Sequence, residues 1–204
     1  MRRSAFDVAE LLVRSRLRVF TTSDARRLTR QSPSATSRML GALARGGRLM
    51  RLRRGLWADR GADRLHPYEA VPHFKPPWPA YVSLHSALSD QGVIAEIPHA
   101  IFAVSPANPR RYRTPLGEYR FHHLPSRLMW GFTSRPAGAG TYPIADPEKA
   151  FLDLLYLSLI PRSPLVLPPP RARRWPLDRA RLLRYARRFG FPPLLRRLRT
   201  LPLG

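Results

Sequence analysis

Arginine recurs at positions 26, 27, 30, 38, 45, 48, 51, 53 and 54, and the small polar residues Ser34 and Ser37 stand among them. That set suits contact with double-stranded nucleic acid. Small side chains let a helix approach the floor of a major groove. Serine hydroxyls donate to phosphate or base edges, and a guanidinium such as Arg38 pairs with guanine O6 and N7. Arg45, further along, reaches phosphate. Arg51, Arg53 and Arg54 cluster where a hairpin tip would carry them to the backbone or the minor groove. The candidate DNA-binding residues are Ser34, Ser37, Arg38, Arg45, Arg51, Arg53 and Arg54.

These side chains need elements to position them. Phe6, Ala9, Leu12 and Val13 repeat at helical spacing and predict a first helix from about Ser4 to Arg16, after which Leu17 and Phe20 enter a core. Thr22 or Ser23 is the expected cap of a short helix, Asp24 to Leu28, with Asp24 in the first turn, where an acid suits the dipole. Ser32-Pro33 is a start signal for a third helix that runs to about Arg45 and stops at Gly46-Gly47. Thr36, Leu40 and Leu43 then face inward and Ser34, Ala35, Ser37, Arg38 and Gly41 outward. Leu49 and Leu56-Trp57 predict two short strands about a turn at Arg53-Arg54-Gly55. This is the order of a winged helix-turn-helix. A three-helix scaffold with a solvated hairpin, or a winged helix that contacts protein, would read the same way.

Charge distribution favours the first of these. The 204 residues carry a formal +23, from 36 basic and 13 acidic residues, and only Lys75 and Lys149 are lysines. A GC-rich genome explains the preference for Arg but not its placement. Residues 1–60 hold 15 Arg against Asp7, Glu10, Asp24 and Asp59; residues 65–156 hold 8 basic and 7 acidic residues; residues 157–204 hold 12 Arg against Asp178. Two basic ends around a neutral middle favour a polyanionic partner over a solvated arginine-rich surface without one.

Other chemistries fit poorly. Cysteine is absent, which removes disulfides, thiolate zinc sites and a Cys nucleophile. His85, His99, His122 and His123 match no metal spacing, and adjacent His122 and His123 point to opposite faces of a strand. Asp146, Glu148 and Lys149 hint at a nuclease carboxylate–Lys set, but that chemistry needs acid–x–Lys on a strand, whereas Glu148 and Lys149 are adjacent at a helix start and Asp146 reads as its cap. Gly138-x-Gly140 lacks the Lys-Ser/Thr of a phosphate loop. No catalytic residue, metal or cofactor is expected, and the chain reads as a non-enzyme. The longest apolar run, Phe151 to Ile160, is short and contains Asp153, and Leu11–Val13 is soon broken by Arg14, Arg16 and Arg18. No membrane partner is expected, and a cytoplasmic location is.

The fold class read from the sequence is α+β: an N-terminal winged helix-turn-helix (1–60), a Pro-rich linker (61–79), a mixed α/β domain (80–160), a Pro-rich spacer (161–176) and basic C-terminal helices (177–204). The linker has the composition of a semi-rigid spacer or of a strap packed on a neighbour. In the middle, Ser83 to Gln91 reads as a helix, Ile101–Val104 and Tyr119–Leu124 as strands, Pro109 to Gly117 as a basic loop or hairpin, Thr141–Ala145 as a short strand, and Asp146-Pro147 as the start of a helix to about Leu159. At the end, Leu177 to Phe189 is helical with Asp178 as cap, Leu182, Leu183, Ala186 and Phe189 able to pack, and Gly190 as stop; Pro192-Pro193 starts a last short helix. These helices are a second nucleic-acid surface, a packed helical hairpin with solvated arginines, or a membrane-surface element.

The order of parts resembles the AbiEi-type antitoxins of bacterial type IV toxin–antitoxin (abortive infection, phage-defence) systems. The matching pieces are Ser34 to Ala58, Tyr81 to Gly92, Tyr119 to His123, Ile144 to Leu155 and the tail Leu182 to Leu201. The resemblance implies an N-terminal domain that binds inverted repeats in its own promoter and represses the operon. It also implies a C-terminal antitoxin domain, and a nucleotidyltransferase-like toxin as functional partner without direct contact. Only the DNA-binding residues named above carry over, and the Pro-rich spacer at 161–176 is not part of the family pattern. The alternative is a winged-helix transcriptional regulator with no toxin, whose C-terminal domain senses a ligand or partner.

Overall fold

A computed structural model of the chain describes residue 15 and residues 17–61, 65–170 and 174–203. The helix expected over Ser4 to Arg16 falls almost wholly outside the described residues. The architecture is α+β.

The first strand, β1 (Val19–Thr21), turns directly into α1 (Thr22–Thr29). Thr21, not Thr22 or Ser23, is the cap. Its Oγ1 accepts from the Asp24 N–H at 3.1 Å, and Asp24 Oδ2 accepts from the Thr21 N–H at 2.8 Å. The reciprocal bond requires an acid three residues after the cap, and Asp24 stands there only for Thr21. Arg30 ends α1 in the left-handed region, φ 54°. Ser32 then caps α2 (Pro33–Arg45), its Oγ accepting from the Ala35 N–H at 3.3 Å, with Pro33 at the first helical position. The helix ends at Gly46, and β2 (Leu49–Arg53) and β3 (Leu56–Asp59) follow as an antiparallel hairpin whose turn uses Gly55 at φ 79°. The three strands lie in the order β1-β3-β2.

Alternation gives this small sheet two buried faces. Phe20, Leu49 and Trp57 pack with Ala25, Leu40 and Leu43 of the helices. Val19, Leu52, Leu56 and Ala58 point the other way and join the larger core of the molecule, with Ala70, Val71 and Phe74. The Pro-rich segment after β3 is a packed strap. It holds a 3-10 helix, Pro67–His73, with Glu69, Ala70 and Val71 buried. Phe74 inserts among Tyr112, Tyr119 and Phe121, with ring centroids 4.7, 4.6 and 5.5 Å away.

The second sheet has six strands: β4 (Tyr81–Val82), β5 (Ile101–Ser105), β6 (Arg110–Thr114), β7 (Gly117–His123), β8 (Phe132–Ala137) and β9 (Gly140–Ala145), in the order β6-β7-β5-β4-β9-β8. β4–β9 and β5–β7 are parallel and the other pairs antiparallel. The basic stretch around residues 109–117 is the β6–β7 hairpin. β4 and β8 have no counterpart in the sequence reading: β4 is two residues long, and β8 is a largely exposed edge containing Pro136.

α3 (Leu84–Asp90) and α4 (Pro147–Ser158) pack against each other, and α4 is buried from Glu148 to Leu155. α5 (Arg179–Phe189) and α6 (Pro192–Leu198) pack on α4. The Asp178 side chain caps α5, accepting from the Arg181 N–H at 2.9 Å, and Gly190 ends it at φ 62°. Leu182, Ala186 and Phe189 are buried, but Leu183 is 36% exposed, because it falls on the flank of the helix turned away from α4. Asp146 occupies the N-cap position of α4 without capping. α5 brings Tyr185 beside it, and the Asp146 carboxylate accepts from that hydroxyl at 2.9 Å. Among the described residues no helix is long and apolar enough to cross a membrane.

Candidate nucleic-acid interface

α1 and α2 meet across a three-residue turn, Arg30 to Ser32, and the sheet packs beneath both. Thr36 and Leu40 are fully buried and Leu43 nearly so, which fixes the rotation of α2. Ser34, Ser37, Arg38 and Arg45 are exposed on the opposite side. Ala35 and Gly41 are half-buried. The Ser34 hydroxyl lies 3.3 Å from that of Ser32, and the Arg45 guanidinium folds back towards Gly41, where an added Cβ would lie 3.8 Å from it.

The acids of this unit among the described residues, Asp24 and Asp59, are already committed. Asp24 pairs with Arg27, and Asp59 lies 3.6 Å from Arg48 and accepts from the Gly61 N–H at 2.9 Å. Among the described residues Arg26, Arg30, Arg38, Arg45 and Arg54 therefore make no ion pair, and Arg51 has only its stacking over Trp57, 5.6 Å from the ring centroid. These are six exposed, uncompensated guanidiniums on about thirty residues of chain.

Arg53 differs from its neighbours at the hairpin tip. It is half-buried, and it donates to the Phe74 carbonyl at 3.2 Å and to the Arg54 carbonyl at 2.9 Å. Among the described residues its Nε is buried without a partner. The bulge between Arg51 and Arg53 turns this side chain towards the strap, while Arg51 and Arg54 remain exposed.

At the far end of the chain, Arg179, Arg184, Arg187, Arg196, Arg197 and Arg199 are exposed on α5 and around α6. Other arginines there are structural. Arg181 lies 3.5 Å from Glu148, and Arg188 stacks on Trp130 at 4.2 Å. These helices are a packed hairpin with an arginine-rich outer face.

One further constellation resembles a catalytic set. Lys149 Nζ donates to the Tyr81 hydroxyl at 2.7 Å and to Asp153. Asp153 also accepts from the Tyr81 hydroxyl at 3.0 Å and from Ser83 Oγ at 2.8 Å. All four side chains have no solvent exposure, so no substrate can touch them. Burial lowers the pKa of Lys149 and raises those of Asp153 and Tyr81. The set is a polar knot joining α4 to β4. The adjacency of Glu148 and Lys149 concealed it in the sequence: Asp153 stands one helical turn from Lys149, but Tyr81 and Ser83 lie some seventy positions away. Among the described residues no group of three or more His, Asp or Glu side chains could hold a metal ion.

The chain matches no protein-family model and no curated protein.

Proposed function

We propose that this protein is a DNA-binding transcriptional regulator. Its N-terminal unit is a winged helix-turn-helix in which α2 is the recognition helix and the β2–β3 hairpin is the wing. The observation that carries this reading is the exposed face of α2, where Ser34, Ser37 and Arg38 stand together with, among the described residues, no acid paired to them. A helix presenting small hydroxyl side chains and one free guanidinium suits base edges, and the uncompensated arginines around it suit phosphates. The chain acts on DNA without catalysing a reaction.

The resemblance to AbiEi-type antitoxins supplies the finer reading. The protein represses its own operon through inverted repeats and opposes a nucleotidyltransferase-like toxin without contacting it. A second reading removes the toxin and gives the C-terminal domain a ligand to sense, and an open cleft on the six-stranded sheet favours it.

The test is binding of the full chain to the DNA upstream of its own gene across a salt series. We expect sequence-preferring binding that weakens steeply with salt, and Arg38→Ala to cost about 1–3 kcal/mol on that DNA but little on unrelated duplex. Salt-insensitive binding, or an Arg38→Ala variant indistinguishable from the parent, would overturn the assignment of α2. Growth rescue by the chain when the neighbouring gene is expressed separates the antitoxin reading from the toxin-free one.

A further inference from the structure

The face of the six-stranded sheet turned away from the strap carries an unusual cross-strand row. Phe102, Arg120 and Arg111 are register partners on β5, β7 and β6, so their side chains stand side by side. His122, two residues beyond Arg120, stacks near Phe102 with centroids 5.9 Å apart, and His85 of α3 approaches the same ring at 5.0 Å. The proline-rich segment 164–169 crosses above them. Between row and segment lies an open cleft of about 830 Å³.

The lining is apolar, cationic and short of hydrogen bonds at once. Leu165, Val166 and Leu167 form one wall. Arg110, Arg111 and Arg120 contribute three positive charges, and among the described residues Glu96 is the acid of the lining, while Glu118 just outside lies 2.7 Å from Arg120 and 3.2 Å from Arg111, fixes their direction and leaves the trio net positive. His85 Nε2 lies 3.1 Å from the Val166 carbonyl. A carbonyl only accepts, so Nε2 carries the proton and Nδ1 keeps a bare lone pair. That Nδ1 and the Nε2 of His122 are both buried without a partner among the described residues. Unmade hydrogen bonds at buried atoms are costly, and two of them lining one cleft point to a bound group that completes them. Burial lowers both imidazole pKa values, that of His122 to about 4, so near neutrality they meet a ligand uncharged.

We infer that this cleft binds a planar heteroaromatic anion of nucleotide size: a ring that stacks on Phe102, ring or amino N–H groups that reach the free imidazole nitrogens, and a phosphate that meets Arg110, Arg111 and Arg120. The cleft holds such a ligand whole, and the proline-rich wall is stiff before it arrives. This deepens the ligand-sensing reading of the C-terminal domain and rests on it for its regulatory meaning. The binding step is measured without DNA, so its failure leaves the DNA reading standing.

The experiment is isothermal titration of the full chain with AMP and GMP, with adenosine and inorganic phosphate as the ring-only and phosphate-only probes. At least one nucleotide binds with a Kd below about 1 mM, and each half-probe binds about tenfold more weakly or worse. Because the chain carries +23, nucleotides also have a basic N-terminal surface to visit. Arg120→Ala therefore reduces binding by about tenfold, the loss of one charge-assisted contact, while Arg38→Ala leaves it unchanged. Val166→Trp, on a residue 72% exposed, narrows the cleft from its wall without entering the core and weakens binding by about tenfold or more. It serves where Arg120→Ala does not fold. Absence of nucleotide binding, or binding that follows Arg38 and ignores Val166→Trp, overturns the proposal.

Discussion

Arg18 holds Glu69 through two hydrogen bonds, Nε to Oε2 at 2.6 Å and Nη2 to Oε1 at 3.0 Å, with the two side chains only 13% and 5% exposed. The same carboxylate accepts from the His66 N–H at 2.8 Å. Arg18 stands just before β1 and Glu69 sits in the strap, so the pair joins the arginine-rich unit to the six-stranded sheet. Gly140 of β9 lies against it, and a Cβ there would come 2.0 Å from Glu69 Oε2.

Breaking that pair removes two charge-assisted hydrogen bonds between largely buried groups. Glu69→Ala is expected to cost about 3–5 kcal/mol in urea unfolding, and Gly140→Ala to cost stability as well by pushing Glu69 out of position. A loss below about 1 kcal/mol for Glu69→Ala would show the pair to be solvated in solution.

The arginines of the hairpin are expected to divide by role. Arg51→Ala and Arg54→Ala each flatten the slope of log Kobs against log salt by about 1 and leave stability alone. Arg53→Ala removes a hydrogen bond to the Phe74 carbonyl and lowers stability by about 1–3 kcal/mol with little change of slope. Identical behaviour of all three would mean that Arg53 leaves the strap when DNA binds.

Lys149→Met strands Asp153 in the core and is expected to destabilise the fold by about 3–5 kcal/mol. The double variant Lys149→Met/Asp153→Leu removes both charges and recovers much of that loss. Failure of the second change to recover stability would mean that the bonds to Tyr81 and Ser83, not the charge pair, hold the knot together.

Acid should weaken the fold through His122. Its pKa falls from the ordinary imidazole value of 6.5 to about 4 on folding, chiefly because burial disfavours the cation. Between those values the unfolded chain binds more protons, so this contribution to stability is complete above pH 6.5 and is lost as pH falls towards 4. His122→Phe should flatten the decline in thermal midpoint over that window.

Local signals carried much of the fold. Ser32-Pro33, Asp178 and Gly190 mark helix ends because a cap is a bond between near neighbours in sequence, and Thr36, Leu40 and Leu43 set the phase of α2 because helical periodicity is local. What escaped the sequence depends on distance along the chain. Arg53 reads as a free hairpin residue until the strap places the Phe74 carbonyl beside it. His85 and His122 match no ligand spacing, yet parallel pairing of β5 with β7 brings His122, and α3 brings His85, to one aromatic ring. β8, with Pro136 and little apolar alternation, is recruited to the edge by β9 rather than by its own propensity.

Lysine is the scarce letter here, used twice in a chain with 36 basic residues, and both copies are interior, Lys149 wholly and Lys75 at 9% exposure. Lys75 Nζ donates to the Asn108 carbonyl at 2.6 Å beneath the rings of Tyr112 and Phe121; Lys149 is ringed by Tyr81, Trp130 and Phe189. A compact ammonium on a slender stem enters such spaces, and a flat five-donor fork does not. Where a genome drives one cation to replace the other across the surface, the survivors are positions that composition could not overwrite. Rarity then becomes a burial signal, readable before any fold is known.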